Sequence, residues 1–266
     1  MSKIHIVGIL NVTPDSFYDG GKYTPRTQAL IHARQMISDG ATVIDIGGES
    51  TRPGAPSVSA EEEMARVLPI IESLVRETDV TISIDTVKPT VMRAAIAAGA
   101  RMVNDVNALS AEGAVSCVAE TGVQVCLNHM QGTPGTMQVE PYYDNVVQAV
   151  YDYLEARIQA CVDAGISKQA ILVDPGFGFG KTLAHNLSLL KHLSVFAQLS
   201  CPVYVGLSRK SMIGALLGGA PVQHRLIGSV SAAVIAAMHG AQYIRVHDVA
   251  ATAQALAVVQ GMIEAK

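Results

Sequence analysis

The sequence predicts a closed (β/α)8 barrel, and three observations support that prediction. Apolar runs of strand length alternate with helical patterns eight times, which is typical of a parallel sheet. Nearly every strand-like run ends in a short polar cluster, and eight strands with polar groups at the same end would line one mouth. The length of 266 residues is close to that of one such barrel. We therefore predict a single TIM-barrel domain over residues 1–266, without a substantial N-terminal hairpin.

The predicted strands are short and apolar, as expected for a sheet that is buried on both faces. They lie at 4–10, 42–47, 80–85, 101–105, 123–128, 170–174, 202–207 and 243–247. An open, doubly wound parallel sheet is the alternative architecture. Eight strand-helix units and an even spread of polar strand ends favour the closed barrel.

Cap residues mark where the first two helices begin. Thr24 can cap the first helix, with Pro25 at its first position. Ser59 and Glu62 have the spacing of a capping box at the start of the second helix.

The later helices are marked by proline, glycine and aspartate. Pro89 opens the third helix, which should stop near Gly99. The longest helical pattern ends at Gly165, where glycine can terminate the helix. Asp248 is expected to cap the last helix, which runs to about Met262.

Two segments, 11–24 and 48–59, are too long to be simple turns between a strand and a helix. Both are rich in Gly, Pro, Ser and Thr, and both follow a strand. Loops of this length in a compact domain are usually lids or binding loops. We interpret them as mobile loops at the functional end of the barrel.

The composition excludes several classes of protein. Hydrophobic residues make up 49% of the chain and no apolar stretch reaches membrane-spanning length, so we expect no membrane segment. A net charge of −4 provides no basic surface for nucleic acid. Cys117, Cys126, Cys161 and Cys201 lie far apart, which indicates reduced thiols rather than a disulfide or zinc framework. We expect a cytoplasmic protein that acts on small molecules.

Five motifs make the sequence recognisable. They occupy 8–17, 45–54, 174–181, 206–211 and 245–248, and they follow one another in order along almost the whole chain. Together they resemble the motifs of the dihydropteroate synthase family. The resemblance implies a TIM barrel that is usually a homodimer. It also implies that 6-hydroxymethyl-7,8-dihydropterin pyrophosphate is joined to p-aminobenzoate, with release of pyrophosphate, in folate synthesis; these enzymes are the sulfonamide target.

Acidic and amide side chains at strand ends suit a pterin. Its amino-pyrimidinone edge presents a row of N–H donors, and a carboxylate can accept two of them in parallel. By the resemblance, Asp174 and Asn104 bind this edge, with Asp85 beside them. Each alone is as well explained as a loop or helix cap, because Asp and Asn favour such positions. Three such residues at one mouth favour the binding role.

Four further residues would complete the pterin pocket. Lys210 can reach a carbonyl or ring nitrogen of the pterin, although most lysines are simply solvated. The planar guanidinium of Arg245 can stack on the ring. Met130 and Phe179 are apolar walls for the same ring, and core packing explains them equally well.

The second substrate is assigned to two loops and one helix by the resemblance. Ser211 begins a helix whose free N–H groups attract an anion, and the family places the p-aminobenzoate carboxylate there. Phe17, Thr51 and Pro53 would complete this pocket from the two long loops.

The pyrophosphate requires positive charge and a metal. Asn11 and Asp19 offer oxygen ligands that suit Mg²⁺, whose remaining positions are filled by water and phosphate oxygens. Arg52, His247 and Arg245 can interact with the phosphates, together with Asn11. A histidine at a strand end is often structural, but its place beside Arg245 favours a role at the site.

The sequence contains no nucleophile-base pair, which indicates a dissociative mechanism. Loss of pyrophosphate leaves a cation delocalised into the pterin ring, so charge stabilisation should dominate catalysis. We assign catalysis to Asp85, Asp174 and Lys210 at the ring, and to Arg52 and His247 at the leaving group.

Several features qualify this assignment. The glycines at 176, 178 and 180 resemble a phosphate loop, but Pro175 stands where such a loop needs glycine. Asn128 replaces an apolar residue expected before His129, so the wall near this strand should be more polar. An alanine-rich stretch is expected to lie on the surface and pack against a second subunit; it comprises Ala232, Ala233, Ala236 and Ala237. Rival functions are a pterin-binding methyltransferase and a non-catalytic pterin-binding scaffold.

Overall fold

Eight parallel strands close into a barrel in chain order, with the last strand pairing to the first. The computed structural model describes residues 4–13, 24–49, 57–133 and 135–265. The strands are β1 His5–Asn11, β2 Val43–Gly47, β3 Thr81–Asp85, β4 Met102–Asp105, β5 Gln124–Asn128, β6 Ile171–Asp174, β7 Val203–Gly206 and β8 Ala241–Val246. The barrel prediction is confirmed, and every predicted strand end lies within two residues of the observed one.

Helices connect the strands and surround the barrel. They are α1 Pro25–Ser38, α2 Ala60–Glu77, α3 Pro89–Ala97, α4 Ala114–Thr121, α5 Val146–Asp163, α6 Leu183–Lys191, α7 Ser211–Leu216, α8 Leu226–Met238 and α9 Val249–Glu264. Short 3-10 helices occupy Lys168–Ala170, Leu193–Leu199 and Val222–His224. Within the described ranges, no helix combines the length and the hydrophobicity needed to cross a membrane.

The predicted caps are confirmed in position, but two of them differ in chemistry. Thr24 and Ser59 cap α1 and α2 through their hydroxyl oxygens, as expected. The Glu62 carboxylate binds Arg66 instead of returning to the backbone at Ser59, so the prediction of a full capping box is wrong. Asp248 occupies the position before α9, but its carboxylate binds Arg209 and does not cap the helix. In both cases an arginine competes for the carboxylate, and its guanidinium offers a full positive charge where a backbone amide offers only a dipole.

The expectation of an alanine-rich subunit surface is wrong. The four alanines of α8 are buried, each at most 4% exposed, because this face of the helix packs on β8 and α9. Their small side chains allow close approach within the barrel shell. The exposed apolar residues of α8 are Ile227, Ile235 and Met238, on the other side of the helix.

The interior of the barrel changes character along the strands. An apolar group, which we call the interior cluster, consists of Val7, Val43, Met102, Cys126, Leu172 and Tyr204. Because alternate residues of a strand face the same side, the positions two residues later also point inward. Those positions include Asp45, Asn104, Asn128, Asp174 and Gly206, so the barrel becomes polar toward the carboxyl ends of its strands.

Candidate active site

Hydrogen bonds connect side chains of four strands to a central arginine. Arg245 at the end of β8 donates from Nε to Asp45 Oδ2 at 2.6 Å and from its terminal nitrogen to Asp85 Oδ2 at 2.7 Å. Asn104 Nδ2 donates to the same Asp45 oxygen at 3.0 Å, and Asn128 Nδ2 donates to Asn104 Oδ1 at 2.9 Å. We call these five residues the polar network; they bring β2, β3, β4, β5 and β8 to one point.

Burial sets the electrostatics of the polar network and of the nearby Asp174. It raises the pKa of Asp85 to about 7, against the attraction of Arg245, and the nearby Asp45 adds to the increase. The pKa of Asp174 is also raised by burial, although the Lys210 ammonium opposes this. A ligand that donates N–H groups to these carboxyl groups would stabilise their charged form. The carboxyl groups at the mouth therefore favour a ligand that has several N–H donors.

Lys210 lies beside the carboxylates, as predicted. Its ammonium donates to the carbonyl of Phe177 and lies 4.5 Å from the centre of the Phe179 ring. Burial lowers its pKa to about 8, with Asp174 acting in the opposite direction. A side chain at Gly206 would approach within 3.9 Å of Arg245 and 4.0 Å of Lys210 Nζ, so glycine leaves room between these two cations.

Unpaired polar atoms lie below the network. Asp45 Oδ1, Ser83 Oγ and the Tyr204 hydroxyl are buried, and none has a hydrogen-bond partner in the described parts of the chain. Asp45 and Ser83 are neighbours in the register of β2 and β3. Buried polar groups are normally paired, with protein, water or ligand. The floor of the mouth therefore still has hydrogen-bonding capacity.

Asn11 lies at the same mouth. A Cβ atom on Gly47 would be 3.6 Å from Asn11 Oδ1 and 3.7 Å from Asp85 Oδ2, so Gly47 lies between these two side-chain oxygens. In the described ranges, no group of three or more His, Cys, Asp or Glu side chains could hold a metal. Mg²⁺ needs only one or two protein oxygens when water and phosphate fill its other positions. The oxygen of Asn11 fits that requirement.

The rim is built by two cross-linked loops. His247 Nδ1 lies 3.0 Å from Ser208 Oγ, which also accepts from the His247 amide at 3.2 Å. Arg209 binds Asp248 through two hydrogen bonds, of 2.8 and 2.5 Å. These contacts join the loop after β7 to the loop after β8. Ser211, exposed at the start of α7, follows directly after Lys210.

The structure thus brings most of the predicted residues to one mouth. Met130 is partly exposed and follows β5, but nothing distinguishes its predicted role as a wall from packing. Asp105 demonstrates the alternative fate of a strand-end carboxylate, because it accepts from the amides of Asn107 and Leu109 in a turn. Five of the predicted site residues lie outside the described residues: Phe17, Asp19, Thr51, Arg52 and Pro53.

Comparison with known proteins identifies the family. The family model described as "Pterin binding enzyme" matches residues 7–247. The chain belongs to this family. It is 53% identical to the dihydropteroate synthase of Escherichia coli K12 over 266 residues, covering 100% of this chain and 94% of that protein. It is 48% identical to the dihydropteroate synthase of Haemophilus influenzae over 265 residues, covering 100% of this chain and 96% of that protein.

Solved structures of this family superpose closely on the chain. The dihydropteroate synthase of Yersinia pestis with a sulfonamide drug complex has a TM-score of 0.94 at 52% identity, covering 99% of this chain and 95% of that one. The Xanthomonas albilineans enzyme in complex with 7,8-dihydropteroate has a TM-score of 0.92 at 47% identity, with coverage of 99% and 95%.

Sequence reasoning missed one member of the polar network in this pterin-binding enzyme. No role was assigned to Asp45, although a carboxylate in the middle of an apolar strand is a signal of function or of a buried ion pair. Arg245 was expected to stack on a ring, and the structure adds ion pairs at the edge of its guanidinium. Stacking uses the face of that group, so the two roles are compatible.

Proposed function

We infer that the chain is a dihydropteroate synthase. It joins 6-hydroxymethyl-7,8-dihydropterin pyrophosphate to p-aminobenzoate and releases pyrophosphate. The observation that carries this conclusion is the Asp45–Arg245–Asp85–Asn104 network at the mouth of a chain about half identical to these enzymes over its full length. Relatives from Xanthomonas albilineans hold 4-aminobenzoic acid or 7,8-dihydropteroate, the second substrate and the product of this reaction.

The pterin is bound by Asp85, Asn104, Asp174, Lys210 and Arg245. Support comes from the convergence of β3, β4, β6, β7 and β8 and from the raised pKa values of two carboxyl groups. Phe179 and Met130 form apolar walls on the ring. The unpaired oxygens of Asp45, Ser83 and Tyr204 provide further contacts or hold water beneath the ligand.

The reaction is a dissociative substitution at the pterin methylene. The carbon–oxygen bond to pyrophosphate breaks, and the leaving group keeps the electron pair. Asp85 and Asp174 then stabilise the resulting cation, and Lys210 orients the ring. The amine of p-aminobenzoate forms the carbon–nitrogen bond and loses a proton.

The leaving group departs toward the rim. Arg52, His247 and Arg245 donate to the phosphates, and Asn11 and Asp19 would hold Mg²⁺. When bound, Mg²⁺ neutralises charge on the leaving pyrophosphate. The cross-linked Ser208 and His247 support this arrangement, because they hold the imidazole at the rim.

The p-aminobenzoate carboxylate binds at Ser211, with Phe17, Thr51 and Pro53 around the aromatic ring. Support comes from the position of Ser211 directly after Lys210, which places both substrates at neighbouring residues. Because α7 has only six residues, its free amide groups contribute more than its dipole does.

The enzyme is a homodimer in the cytoplasm. The dimer is supported by Ile227, Ile235 and Met238, which are exposed on α8 and which a second copy would cover. The cytoplasmic location is supported by four free, buried cysteines. Sedimentation analysis of the wild type and of Ile227→Glu tests the dimer, which should dissociate in the variant.

Pyrophosphate release tests the activity. The protein is mixed with pterin pyrophosphate and Mg²⁺, with and without p-aminobenzoate, and dihydropteroate and pyrophosphate are measured. We expect equal amounts of both products, and only when p-aminobenzoate is present. Binding of the pterin without turnover would instead indicate a scaffold, and transfer of a methyl group from methyltetrahydrofolate would indicate a methyltransferase.

Arg52→Ala tests the assignment of the leaving group. The variant should lose turnover far more than it loses affinity for a pterin that lacks phosphates. Equal losses in the two measurements would contradict a role at pyrophosphate.

A further inference from the structure

Lys181 is a buried cation outside the set of residues assigned above. Only 3% of the residue is exposed. Its Nζ lies 2.9 Å from the carbonyl oxygens of Gly176 and Phe179 and from His129 Nδ1, and 3.4 Å from the His129 carbonyl oxygen. An ammonium has three N–H donors, so these short contacts account for all of them.

The acceptors of Lys181 belong to two segments of the proposed pterin pocket. His129 follows β5, and Gly176 to Phe179 form the loop after β6. In that loop Phe177 offers its carbonyl to Lys210, and the Phe179 ring lies under the Lys210 ammonium. One buried side chain therefore holds the backbone that positions two pterin-facing groups.

This loop has little regular structure of its own to stabilise it. Gly176, Gly178 and Gly180 have φ values of 71°, 81° and 63°, which are available mainly to glycine. A Cβ atom on Gly176 would lie 1.8 Å from the His129 carbonyl oxygen, so the close approach of the two segments requires glycine. Glycine-rich backbone loses much conformational freedom on folding, which makes side-chain hydrogen bonds to it important.

We propose that Lys181 is a positioning residue that holds the 176–179 loop against His129 in the conformation that binds the pterin. This inference rests on the proposed function. The lysine does not contact the ligand itself, and it acts through the Phe177 carbonyl, the Phe179 ring and Lys210.

Burial shifts the titration of both side chains in this contact. It lowers the pKa of Lys181 to about 7, so the ammonium form with its three donors predominates below that pH. Burial together with the lysine charge lowers the pKa of His129 to about 3, so the imidazole is neutral and accepts at Nδ1. Burial raises the pKa of Asp174, and the Lys181 charge opposes part of that increase, which favours the carboxylate form of that residue. Loss of the lysine would therefore loosen the loop and weaken the ionisation of a pterin-binding group.

The test uses Lys181→Met, which keeps most of the length of the side chain and removes every donor. The control is Leu74→Ala, which opens a cavity near the end of α2 without touching the loop. The dissociation constant of a pterin without phosphates is measured by calorimetry at a temperature where all proteins are folded. The KM of each substrate is measured in the same buffer.

We expect Lys181→Met to bind the pterin at least tenfold more weakly and to raise its KM to match. The KM of p-aminobenzoate at saturating pterin should change less than twofold, and Leu74→Ala should keep wild-type pterin affinity. Wild-type pterin affinity in Lys181→Met, or an equal rise in both KM values, would overturn the proposal.

Lys181→Gln is the milder variant for the case in which Lys181→Met does not fold. Glutamine retains two N–H donors. Lys181→Gln should therefore bind the pterin more weakly than the wild type, but by less than tenfold. Wild-type affinity in a folded Lys181→Gln protein would also overturn the proposal. Absence of turnover in the wild-type protein would count against the proposed function. That result does not depend on the Lys181 variants, so the two failures can be distinguished.

Discussion

The lower and upper halves of the barrel interior differ in chemistry although the same strands build both. The interior cluster is apolar apart from the Tyr204 hydroxyl and the Cys126 thiol. Two residues further along, the inward positions carry Asp45, Asn104 and Asp174. Because side chains of one strand alternate between two faces, a shift of two residues changes the chemistry without changing the fold. The barrel thereby separates the residues that stabilise it from those that bind a ligand.

The two halves also differ in their energetic balance. Burial of the interior cluster is favourable, since it removes apolar surface from water. Burial of the upper half is costly for its charges, as the raised pKa values of Asp85 and Asp174 demonstrate. Hydrogen bonds within the polar network offset part of that cost. Substitutions in the two halves should therefore affect different measurements.

Loss of the central arginine should have the largest effect. Arg245→Met leaves Asp45 and Asp85 buried without a cation, and we expect the free energy of unfolding to fall by about 3–5 kcal/mol. The loss should be smaller at low pH, where the carboxyl groups are protonated. Arg93→Met is the control, because Arg93 and Glu120 form a pair in which both side chains are more than half exposed. Equal, small losses in both variants would contradict a buried network.

Truncation in the lower half should reduce stability alone. Leu172→Ala removes a fully buried side chain of the interior cluster and should lower the free energy of unfolding by about 2–5 kcal/mol. Denaturant unfolding measures this loss. Pterin affinity of the folded variant should equal that of the wild type, and a large drop would mean that the two halves are not separable.

Neutralising one carboxylate in the upper half should reduce binding. Asp174→Asn replaces an acceptor by an amide that also donates, so pterin N–H groups lose a partner and affinity should fall by about 1–3 kcal/mol. Asp105→Asn is the matched control, because Asp105 is about as buried at the end of β4 but serves its own turn. Calorimetry should detect weaker pterin binding only in the first variant. Unchanged affinity in Asp174→Asn would remove its assigned role.

The most gradual change is expected in the pH dependence of stability, because it is spread over several pH units. Because burial raises the pKa of Asp85 from 3.8 to about 7, the folded state binds more protons than the unfolded state between these values. This contribution to stability is complete below the lower value and is lost as the pH rises through 7. Asn does not titrate, so Asp85→Asn should gain on the wild type by at most about 1.4 kcal/mol per pH unit over this range. The free energy of unfolding of both proteins is measured as a function of pH. Parallel curves would contradict a raised pKa of Asp85.

Much of the candidate site follows from the position of residues at strand ends. Parallel strands of a barrel bring their carboxyl ends to one face, which predicts that Asp85, Asn104, Asp174, Lys210 and Arg245 share one mouth. Their roles at the pterin are what the family resemblance implies. Asp45 could not be assigned in this way, because it lies two residues inside its strand. Its function depends on Arg245, which is 200 residues away. The sequence gives no signal for the role of Lys181, since nothing local indicates that its side chain turns inward.

The sequence by itself determined the order, type and approximate ends of the strands and helices, because periodicity and capping are local properties of the chain. Only the tertiary structure decided which charged side chains pair. Arginines draw Glu62 and Asp248 away from their expected cap bonds, and α8 buries its alanines against β8 and α9. These outcomes depend on competition between partners that come together only when the barrel closes. The energy of a buried charge depends on all of its neighbours.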